Sequence, residues 1–367
     1  MKLMPNIKLD YWLLILTLVL IGLGLIMVLS SSFPIAQKRY HDPYFLFKHQ
    51  SMYAMLGITL MTGISKVPYQ LYNRFTYHLL FLGLIGLLLV FVPGIGCKLN
   101  NAARWIRIGP FTIQPSEFLK LAIIIYLAKA VSRKDHIIKS FSLGIIPPFM
   151  IYTVIAVLLL MEPDMGTAVL LAGIVFIMLF VGGAKIKHLL MVVCLAVTSF
   201  AYLIIKEPYR VKRWLAFLWP EQNPLGIGYP VLHSKHAFAM GGVFGRGLGA
   251  SKEKLFYLPE PFNDYIFSIL GEELGFIGVV LVIGLFTLLI WRGVEVARSA
   301  RDAFGFYLAL GIILLIALQA CIHMGVCLGL MPPKGITLPF LSYGGSSLIT
   351  NLIGVGILQN IYAQGQR

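Results

Sequence analysis

The stretch LPEPFNDYIFSILGEELGFIGVVLVIGLFTLLIW, from Leu258 to Trp291, passes from a proline-broken polar segment into a long apolar run. The apolar part, residues 265–291, exceeds the roughly 20 residues that a helix needs to cross a bilayer. Asp264 stands where the two parts meet, and Glu272 and Glu273 follow inside the apolar part. Because a charged side chain inside a membrane costs roughly 2.5–3.5 kcal/mol, these carboxylates are candidates for a specific role.

The whole chain shares this membrane character. Of its 367 residues, 58% are hydrophobic and 12% are charged, and the mean hydropathy is +0.84. Soluble domains carry about 25% charged residues, so a soluble protein with buried helices is the disfavoured alternative. We predict an all-α polytopic membrane protein that forms a single domain over residues 1–367.

Ten apolar segments are candidate membrane spans, at 11–31, 48–65, 75–93, 113–131, 142–161, 166–184, 187–206, 265–291, 304–328 and 342–363. The fourth is the weakest because it contains Glu117 and Lys120. A long loop, about 206–263, separates the seventh and eighth spans. We expect this loop to contain short helices near 230–242 and 255–258, lying in the membrane interface.

The distribution of Lys and Arg predicts the orientation. The two termini and the short loops on their side together contain twice as many Lys and Arg residues as the short loops on the other side. Cytoplasmic loops carry this excess, so both termini are predicted to be cytoplasmic and the long loop to lie outside. The net charge of +15 then indicates contact with anionic lipid headgroups and not with nucleic acid.

The buried acidic residues each have a structural and a functional interpretation. Asp264 lies beside aromatic residues and suits a general base, but it also suits the N-cap of the helix that follows. Glu272 and Glu273 are interpreted mainly as structural partners of buried bases. Glu117 and Lys120, three residues apart on one helix face, either neutralise each other or line a substrate cavity as an ion pair.

The loop motifs leave similar alternatives open. In NNAARWIRIGPF, Arg104, Trp105 and Arg107 either anchor the chain at the interface or bind a phosphate. Asp164 in MEPDMGT either caps a helix or serves a site on the outer face. Ser342 and Ser346 in GITLPFLSYGGSS offer hydroxyls, although small residues in membrane helices usually serve packing.

Phosphate-loop and metal motifs are missing from the sequence. The glycines between residues 241 and 249 do not follow a strand and are not followed by a GK[ST] tripeptide, so a nucleotide loop is excluded. The long loop does supply bases, which include Arg210, Arg213 and Arg246. The four cysteines show no metal-ligand spacing, and no metal ligands are predicted.

Taken together, these motifs resemble one family. LPEPFNDYIFSILGEELGF, GGVFGRGLG, NNAARWI, QPSEFLK, EPDMGT and KGITLPFLSYGGSS occur in the order and spacing of the SEDS proteins, named for shape, elongation, division and sporulation. The resemblance extends from the first span to about Tyr362. The motifs are more similar to the division branch, FtsW, than to the elongation branch, RodA.

The resemblance implies a ten-span fold in the bacterial cytoplasmic (inner) membrane. It also implies an activity, the polymerisation of lipid II into peptidoglycan glycan strands. The implied partners are a class B penicillin-binding protein that cross-links the product and other membrane proteins of the division or elongation machinery. The essential aspartate of the family falls on Asp264, and its other polar site positions fall on Arg104, Trp105, Glu117, Lys120 and Asp164.

This sequence also departs from the family pattern. Phe262 and Asn263 replace the usual His and Thr or Ser before the aspartate, and His233 with Ser234 replaces a Gln-Ser pair. The residue at 262 therefore removes a possible partner of Asp264. A simple His–Asp proton relay is not expected here.

The expected chemistry is an inverting glycosyl transfer in which Asp264 takes the proton from the acceptor hydroxyl. The charge of the departing diphosphate is balanced by basic residues or by a divalent cation, Mg²⁺ or Mn²⁺; no cofactor is certain. The candidate bases are Arg104, Arg107, Arg210, Arg213, Arg246 and Lys120. The alternatives are a lipid II flippase and a non-catalytic scaffold for a transpeptidase.

Overall fold

The computed structural model describes residues 8–99, 102–109, 111–132, 138–206, 211, 217–222, 226 and 228–366. The described chain is mostly helical, as predicted for a polytopic membrane protein. The helices of the first half are α1 (Tyr11–Tyr40), α2 (Phe45–Ser65), α3 (Gln70–Arg74), α4 (Thr76–Val90) and α5 (Pro115–Val131).

The second half continues the helical pattern. After a π-helical turn at Phe141–Ile145, the helices are α6 (Ile146–Met161), α7 (Met165–Val181), α8 (Ile186–Lys206), α9 (Tyr229–Gly241), α10 (Ile266–Arg298), α11 (Ala303–Cys327) and α12 (Gly345–Gly365). A short 3₁₀ turn lies at Pro220–Gln222.

Every predicted span contains a long helix. Four helical segments of the described chain are long and apolar enough to cross a membrane by themselves: Tyr11–Tyr40, Phe141–Met161, Ile266–Arg298 and Ala303–Cys327. Shorter apolar helices lie at Thr76–Val90 and Met165–Val181 and over Ile186–Leu195. The exact count of ten stays a prediction.

Two local predictions need correction. The helix expected near 230–242 is present as α9, and its location in the membrane interface stays a prediction, but residues 255–258 form turns and a bend. Phe256 has φ +68°, which is left-handed backbone that does not continue a helix. The first helix also continues to Tyr40, well past the predicted limit of the first span.

A small antiparallel sheet precedes α5, where the sequence analysis expected only a loop. Its strands are β1 (Gly96–Leu99), β2 (Ala102–Ile108) and β3 (Phe111–Ile113), in that spatial order. Cys97 opposes Trp105 and Ile106 opposes Ile113. The sheet therefore places Arg104, Trp105 and Arg107 on one rigid strand.

Small residues allow the central helices to approach closely. Helices α2 and α12 pack along each other, and a β-carbon on Gly356 would lie 2.7 Å from the Met61 carbonyl oxygen. A β-carbon on Gly57 would lie 2.5 Å from Leu352 Cδ1. Glycine is used here as in other membrane bundles, where packing replaces the hydrophobic effect between helices.

Helix α10 is broken at Gly275, whose φ of 67° and ψ of −165° lie outside the helical region. The main chain of the loop that follows α9 forms hydrogen bonds with the helix main-chain groups that the break leaves unpaired. Arg246 N and Gly247 N donate to the carbonyl oxygens of Glu272 and Glu273, and Phe276 N donates to that of Gly242. The break is thus satisfied inside the protein, as the membrane interior requires.

Hydrogen bonds close the two ends of the bundle. At one end, Asp10 N donates to Gln359 Oε1 at 2.8 Å, so the first and last helices meet. At the other end, Gln50 Nε2 donates to the Ser342 carbonyl oxygen and Tyr343 N to that of Phe262. Asp264 lies at this second end, which we call the Asp264 end.

Candidate functional site

Asp264 lies in a rigid turn just before α10. Its main-chain N–H and that of Asn263 both donate to the Glu260 carbonyl oxygen at 3.1 Å. Pro259 and Pro261 prevent a regular helix here, since proline lacks an N–H donor. The helix N-cap position belongs to Tyr265, one residue after Asp264, and Tyr265 makes no side-chain capping hydrogen bond. Asp264 is half-buried.

The carboxylate of Asp264 faces the loop between α11 and α12. A β-carbon on Gly335 would lie 3.8 Å from both carboxylate oxygens of Asp264, which is van der Waals contact, so Gly335 is a direct neighbour of the carboxylate. His323 Nδ1 donates to the Ile336 carbonyl oxygen at 2.7 Å and fixes the same loop from α11. No local sequence pattern predicts this contact, although Gly335 lies in the KGITLP motif.

Ser342 joins this loop to the main chain beside Asp264. Its hydroxyl donates to the Asn263 carbonyl oxygen at 2.8 Å and accepts from Leu338 N at 2.9 Å. The rings of Phe262 and Tyr343 pack edge to face with centroids 5.7 Å apart. Ser342 therefore positions the turn that carries Asp264, and its role in substrate binding stays a prediction.

Asp164 caps helix α7, one of its two predicted roles. Its two carboxylate oxygens accept from Thr167 N at 3.1 Å and from Thr167 Oγ1 at 2.8 Å. The turn also reaches the loop of Gly335, because a β-carbon on Gly166 would lie 2.9 Å from Ile336 Cγ1. The turn of Asp164 and the carboxylate of Asp264 thus both lie against the Gly335–Ile336 segment.

Arg104 holds the turn of Asp164 from the sheet. Its Nε donates to the Glu162 carbonyl oxygen at 3.0 Å, and its Nη2 donates to the Pro163 carbonyl oxygen. Neighbouring Arg107 is exposed, and Trp105 is half-buried. The sequence interpretations of anchoring and phosphate binding both remain open, but Arg104 has at least a structural task.

Glu162 is a buried acid that the sequence analysis did not assign to the site. Its side chain is fully buried, and both carboxylate oxygens lack a hydrogen-bond partner within the described residues. Burial, with the nearby charge of Asp164, raises the pKa of Glu162 to about 8 although Arg104 opposes the shift. A protonated carboxyl therefore lies at the Asp264 end near neutral pH.

Glu117 and Lys120 form the predicted ion pair on α5. Lys120 Nζ lies 2.7 Å from Glu117 Oε2, and both side chains are almost completely buried. The ion pair that the spacing predicted is present, and whether it also lines a substrate cavity stays a prediction. Next to this pair, Ser346 accepts a hydrogen bond from Gln114 N at 3.0 Å, which ties α12 to the start of α5.

Glu272 and Glu273 are structural partners of the long loop, as predicted. Glu272 accepts from Lys252 N at 2.8 Å and lies 3.6 Å from Arg246 Nη1. Glu273 accepts from Lys254 Nζ at 2.7 Å and from Ser30 Oγ at 2.7 Å. The charge of Arg246 is therefore balanced within the protein.

Lys334 is a further base that the sequence analysis did not select. It immediately precedes Gly335, the residue that faces Asp264, and burial lowers the pKa of its ammonium group. Within the described part of the chain, no acidic side chain forms an ion pair with Lys334 or Arg107. The predicted bases Arg210 and Arg213 lie outside the described residues.

A cavity of about 310 Å³ lies at the opposite end of the bundle, where the first and last helices meet. It is lined by Leu9, Leu14, Met61, Thr62, Ser65, Lys66 and Gln359. This cavity is far along the helices from Asp264 and holds no carboxylate, so it is not part of the candidate site.

Comparison with known sequences gives a consistent result over the whole chain. A family model for FtsW, RodA and SpoVE, described as a cell cycle protein, matches residues 11–367. The chain is 46% identical to a probable peptidoglycan glycosyltransferase FtsW of Trichlorobacter lovleyi, covering 96% of this chain and 93% of that protein. It is 44% identical to stage V sporulation protein E of Bacillus subtilis, covering 96% of each.

Solved structures show the same similarity in three dimensions. A chain of a peptidoglycan synthase complex, studied for its coordination of polymerization and crosslinking, superposes with a TM-score of 0.81 at 30% identity. That match covers 98% of this chain and 99% of the other. The rod shape determining protein RodA of Thermus thermophilus superposes with a TM-score of 0.72 at 27% identity, covering 98% of each chain.

Proposed function

Because this chain belongs to the FtsW, RodA and SpoVE family of cell cycle proteins and is a membrane-embedded peptidoglycan glycosyltransferase, we propose that Asp264 is its general base. The single observation that carries the proposal is the convergence of the Asp264 turn, the Gly335–Ile336 backbone and the Asp164 turn at one end of the bundle. Asp264 is half-buried there on a rigid turn.

The proposed reaction joins two lipid II units. Asp264 accepts the proton of the C4 hydroxyl of an N-acetylglucosamine at the acceptor end. The acceptor oxygen forms a bond to the anomeric carbon of the donor, and the bond from that carbon to undecaprenyl diphosphate breaks. Attack and departure on opposite faces invert the anomeric centre and give a β-1,4 link, so one carboxylate suffices.

The departing diphosphate needs positive charge, and the described bases differ in what they offer. Arg246 and Lys120 are each paired with a glutamate, which reduces the charge that they present. Arg107 and Lys334 form no such pair among the described residues. We therefore place the diphosphate near these two bases, with Arg104 holding the adjacent turn.

A Mg²⁺ or Mn²⁺ ion is the alternative source of that charge. Such ions prefer oxygen ligands, and Glu162 has two buried carboxylate oxygens without a hydrogen-bond partner among the described residues. Because burial raises the pKa of Glu162 to about 8, this carboxyl would have to lose its proton before it could hold a divalent cation. When bound, the cation would neutralise diphosphate charge, while Asp264 keeps its role towards the acceptor proton.

The test is glycan polymerisation from purified lipid II. Asp264→Asn keeps the shape of the side chain and removes the base, and we expect at least a 100-fold loss of polymerisation. Asp42→Asn is the matched control, since Asp42 pairs with Lys48 on the surface of the α1–α2 loop. Near wild-type activity of the Asp264 variant, with folding confirmed by thermal unfolding in detergent, would reject the assignment.

The wider setting is proposed from the family. The similarity to a synthase complex that couples polymerization and crosslinking supports a class B penicillin-binding protein as partner, with other division or elongation proteins. We place the chain in the bacterial cytoplasmic membrane with both termini cytoplasmic and the Asp264 end outside. Co-purification with the cognate penicillin-binding protein, and cysteine labelling of the Asp264 end in intact cells, test the two statements.

Transport of lipid II is the weaker alternative. A transporter needs ionisable groups that can change partners near the membrane midplane. In this structure Glu117, Glu272 and Glu273 are each paired with a base within the protein. Reconstitution with lipid II separates the possibilities, because an enzyme makes polymer, a flippase translocates lipid II and a scaffold does neither.

A further inference from the structure

Two histidines and a glutamate form a compact cluster in the part of the chain between α8 and α10. His233 and His236 lie three residues apart on α9, so they share one helix face. The Nδ1 atom of each lies 2.7 Å from a different carboxylate oxygen of Glu253. The three ligand atoms lie within 4.8 Å of one another.

The cluster is held in place by its surroundings. Glu253 is buried, and its main-chain N–H donates to Glu272 at 3.2 Å. The ring of His233 packs against that of Tyr229, with centroids 4.1 Å apart, and stacks with Tyr257 at 5.7 Å. Preorganised side chains of this kind bind a ligand with little loss of conformational freedom.

We propose that His233, His236 and Glu253 bind a transition metal ion of the Zn²⁺ class. Two imidazoles and one carboxylate are a common zinc donor set, with a fourth position left for water. The cluster is open to solvent on the side of His236, whose side chain is 57% exposed. Two nitrogen donors disfavour Mg²⁺ and Mn²⁺, which separates this site from any cation at the diphosphate.

Accepting the ion requires a local adjustment of the three side chains. Zinc ligands at about 2.0–2.1 Å in a tetrahedron lie roughly 3.3 Å from each other. The two nitrogen–oxygen distances of 2.7 Å must therefore open by well under about 1 Å, and the ligand nitrogens of the two histidines, now within 4.8 Å of each other, must reach the same spacing. The carboxylate of Glu253 is hydrogen-bonded to both imidazoles, so the three side chains already point towards one another.

The ion would join two parts of the long loop. His233 and His236 belong to α9, whereas Glu253 belongs to the turns that lead to Asp264. A metal bridge would hold those turns against α9 without touching the reacting groups. The inference does not depend on the proposed function, because it concerns metal binding and stability alone.

The experiment measures metal binding by the full chain in detergent after removal of metal with chelator. We expect one equivalent of Zn²⁺ by equilibrium dialysis with elemental analysis, a Zn²⁺-dependent rise in the unfolding temperature, and a tetrahedral Co²⁺ absorption spectrum. A ten-fold excess of MgCl₂ should leave the bound Zn²⁺ in place.

Variants decide whether the binding belongs to this cluster. We expect His236→Ala and Glu253→Gln each to weaken Zn²⁺ binding at least ten-fold and to abolish the Co²⁺ spectrum. His41→Ala, at an exposed histidine beyond α1, should bind like the wild type. Since His236 is exposed, its variant should fold. Failure of the wild type to bind one equivalent, or unchanged binding in both cluster variants, would overturn the proposal.

Discussion

The buried acidic residues of this protein are stabilised in two ways, by pairing or by protonation. Most buried acids have a base or a main-chain donor within reach, as Glu273 has Lys254. Glu162 differs, because its oxygens lack such partners among the described residues and burial raises its pKa to about 8. A buried acid can remain neutral when pairing is not available.

Glu162 should make stability depend on pH. Its folded-state pKa of about 8 exceeds the ordinary glutamate pKa of 4.5, so its contribution to stability is fully present below pH 4.5 and is lost as pH rises through 8. Glu162→Gln resembles the protonated acid and should remove this dependence. Thermal unfolding in detergent from pH 5 to pH 9 should show the variant gaining on the wild type as pH rises. Parallel curves would contradict the prediction.

The pair on α5 allows its two interpretations to be separated. Lys120→Met leaves Glu117 buried without its base, and we expect a loss of about 3–5 kcal/mol in unfolding free energy. Glu117→Gln combined with Lys120→Met removes both charges and should recover most of that loss. If the double variant is stable but does not polymerise lipid II, the pair serves the substrate; if it is active, the pair is structural.

At the level of elements, the length of each apolar run predicted the helices well. It did not predict where main chains pair with each other outside those helices. The spans at 265–291 and 304–328 contain α10 and α11 because each run is long and apolar. The sheet before α5 was missed, since its short strands lie among glycines and polar residues that also suit a loop. The break at Gly275 was missed because its partner, Gly245, is 30 residues away in sequence and the contact is between main chains.

The candidate site divides in the same way. The residue types of Asp264, Asp164 and Glu117 are visible in the sequence, and the cap and the ion pair follow from local spacing. The contact between Asp264 and Gly335 depends on two loops that meet only in the folded chain. The cluster of His233, His236 and Glu253 shows a weak local signal, the three-residue spacing of the histidines, but Glu253 joins it only through the fold.

The helix break predicts a sharp difference between two glycines of α10. A β-carbon at Gly275 would lie 2.2 Å from Gly245 N, and its backbone conformation is accessible mainly to glycine. Gly275→Ala should therefore cost at least about 2 kcal/mol of unfolding free energy. Gly284→Ala is the control on the same helix, because nothing lies within 4 Å of its β-carbon position. Equal stability of the two variants would contradict the claim that the helix break requires glycine at position 275.

At the level of the whole molecule, the bundle is closed where its first and last helices meet. Gln359 both accepts from Asp10 N and donates to the Asp10 carbonyl oxygen. The Asp10 carboxylate is buried and accepts from Arg292 Nε at 2.8 Å. Three helices that are distant in sequence therefore share one polar contact at this end.

Arg292 should accordingly matter more than its neighbours for global stability. Arg292→Met leaves the Asp10 carboxylate without its base, and we expect a loss of about 1–3 kcal/mol, reduced because the guanidinium is partly exposed. Arg298→Met, at an exposed position near the end of the same helix, should have little effect. Unfolding by denaturant in detergent gives the comparison, and a similar loss in both variants would contradict it.

The interlocked glycines of α10 also affect how the loop can vary. The chain leaves the helix break at Gly247 and returns to it at Glu272, and four main-chain hydrogen bonds join the two flanks. Glu253 and Asp264 thus belong to a segment, residues 247–272, whose two ends are held together by these hydrogen bonds; we call this segment the lobe. Because closing a longer loop costs only about 0.6 kcal/mol per doubling, residues inserted within the lobe would lengthen it without moving α9 against α10. Evolution can therefore remodel the surface around the base while the transmembrane scaffold remains unaltered.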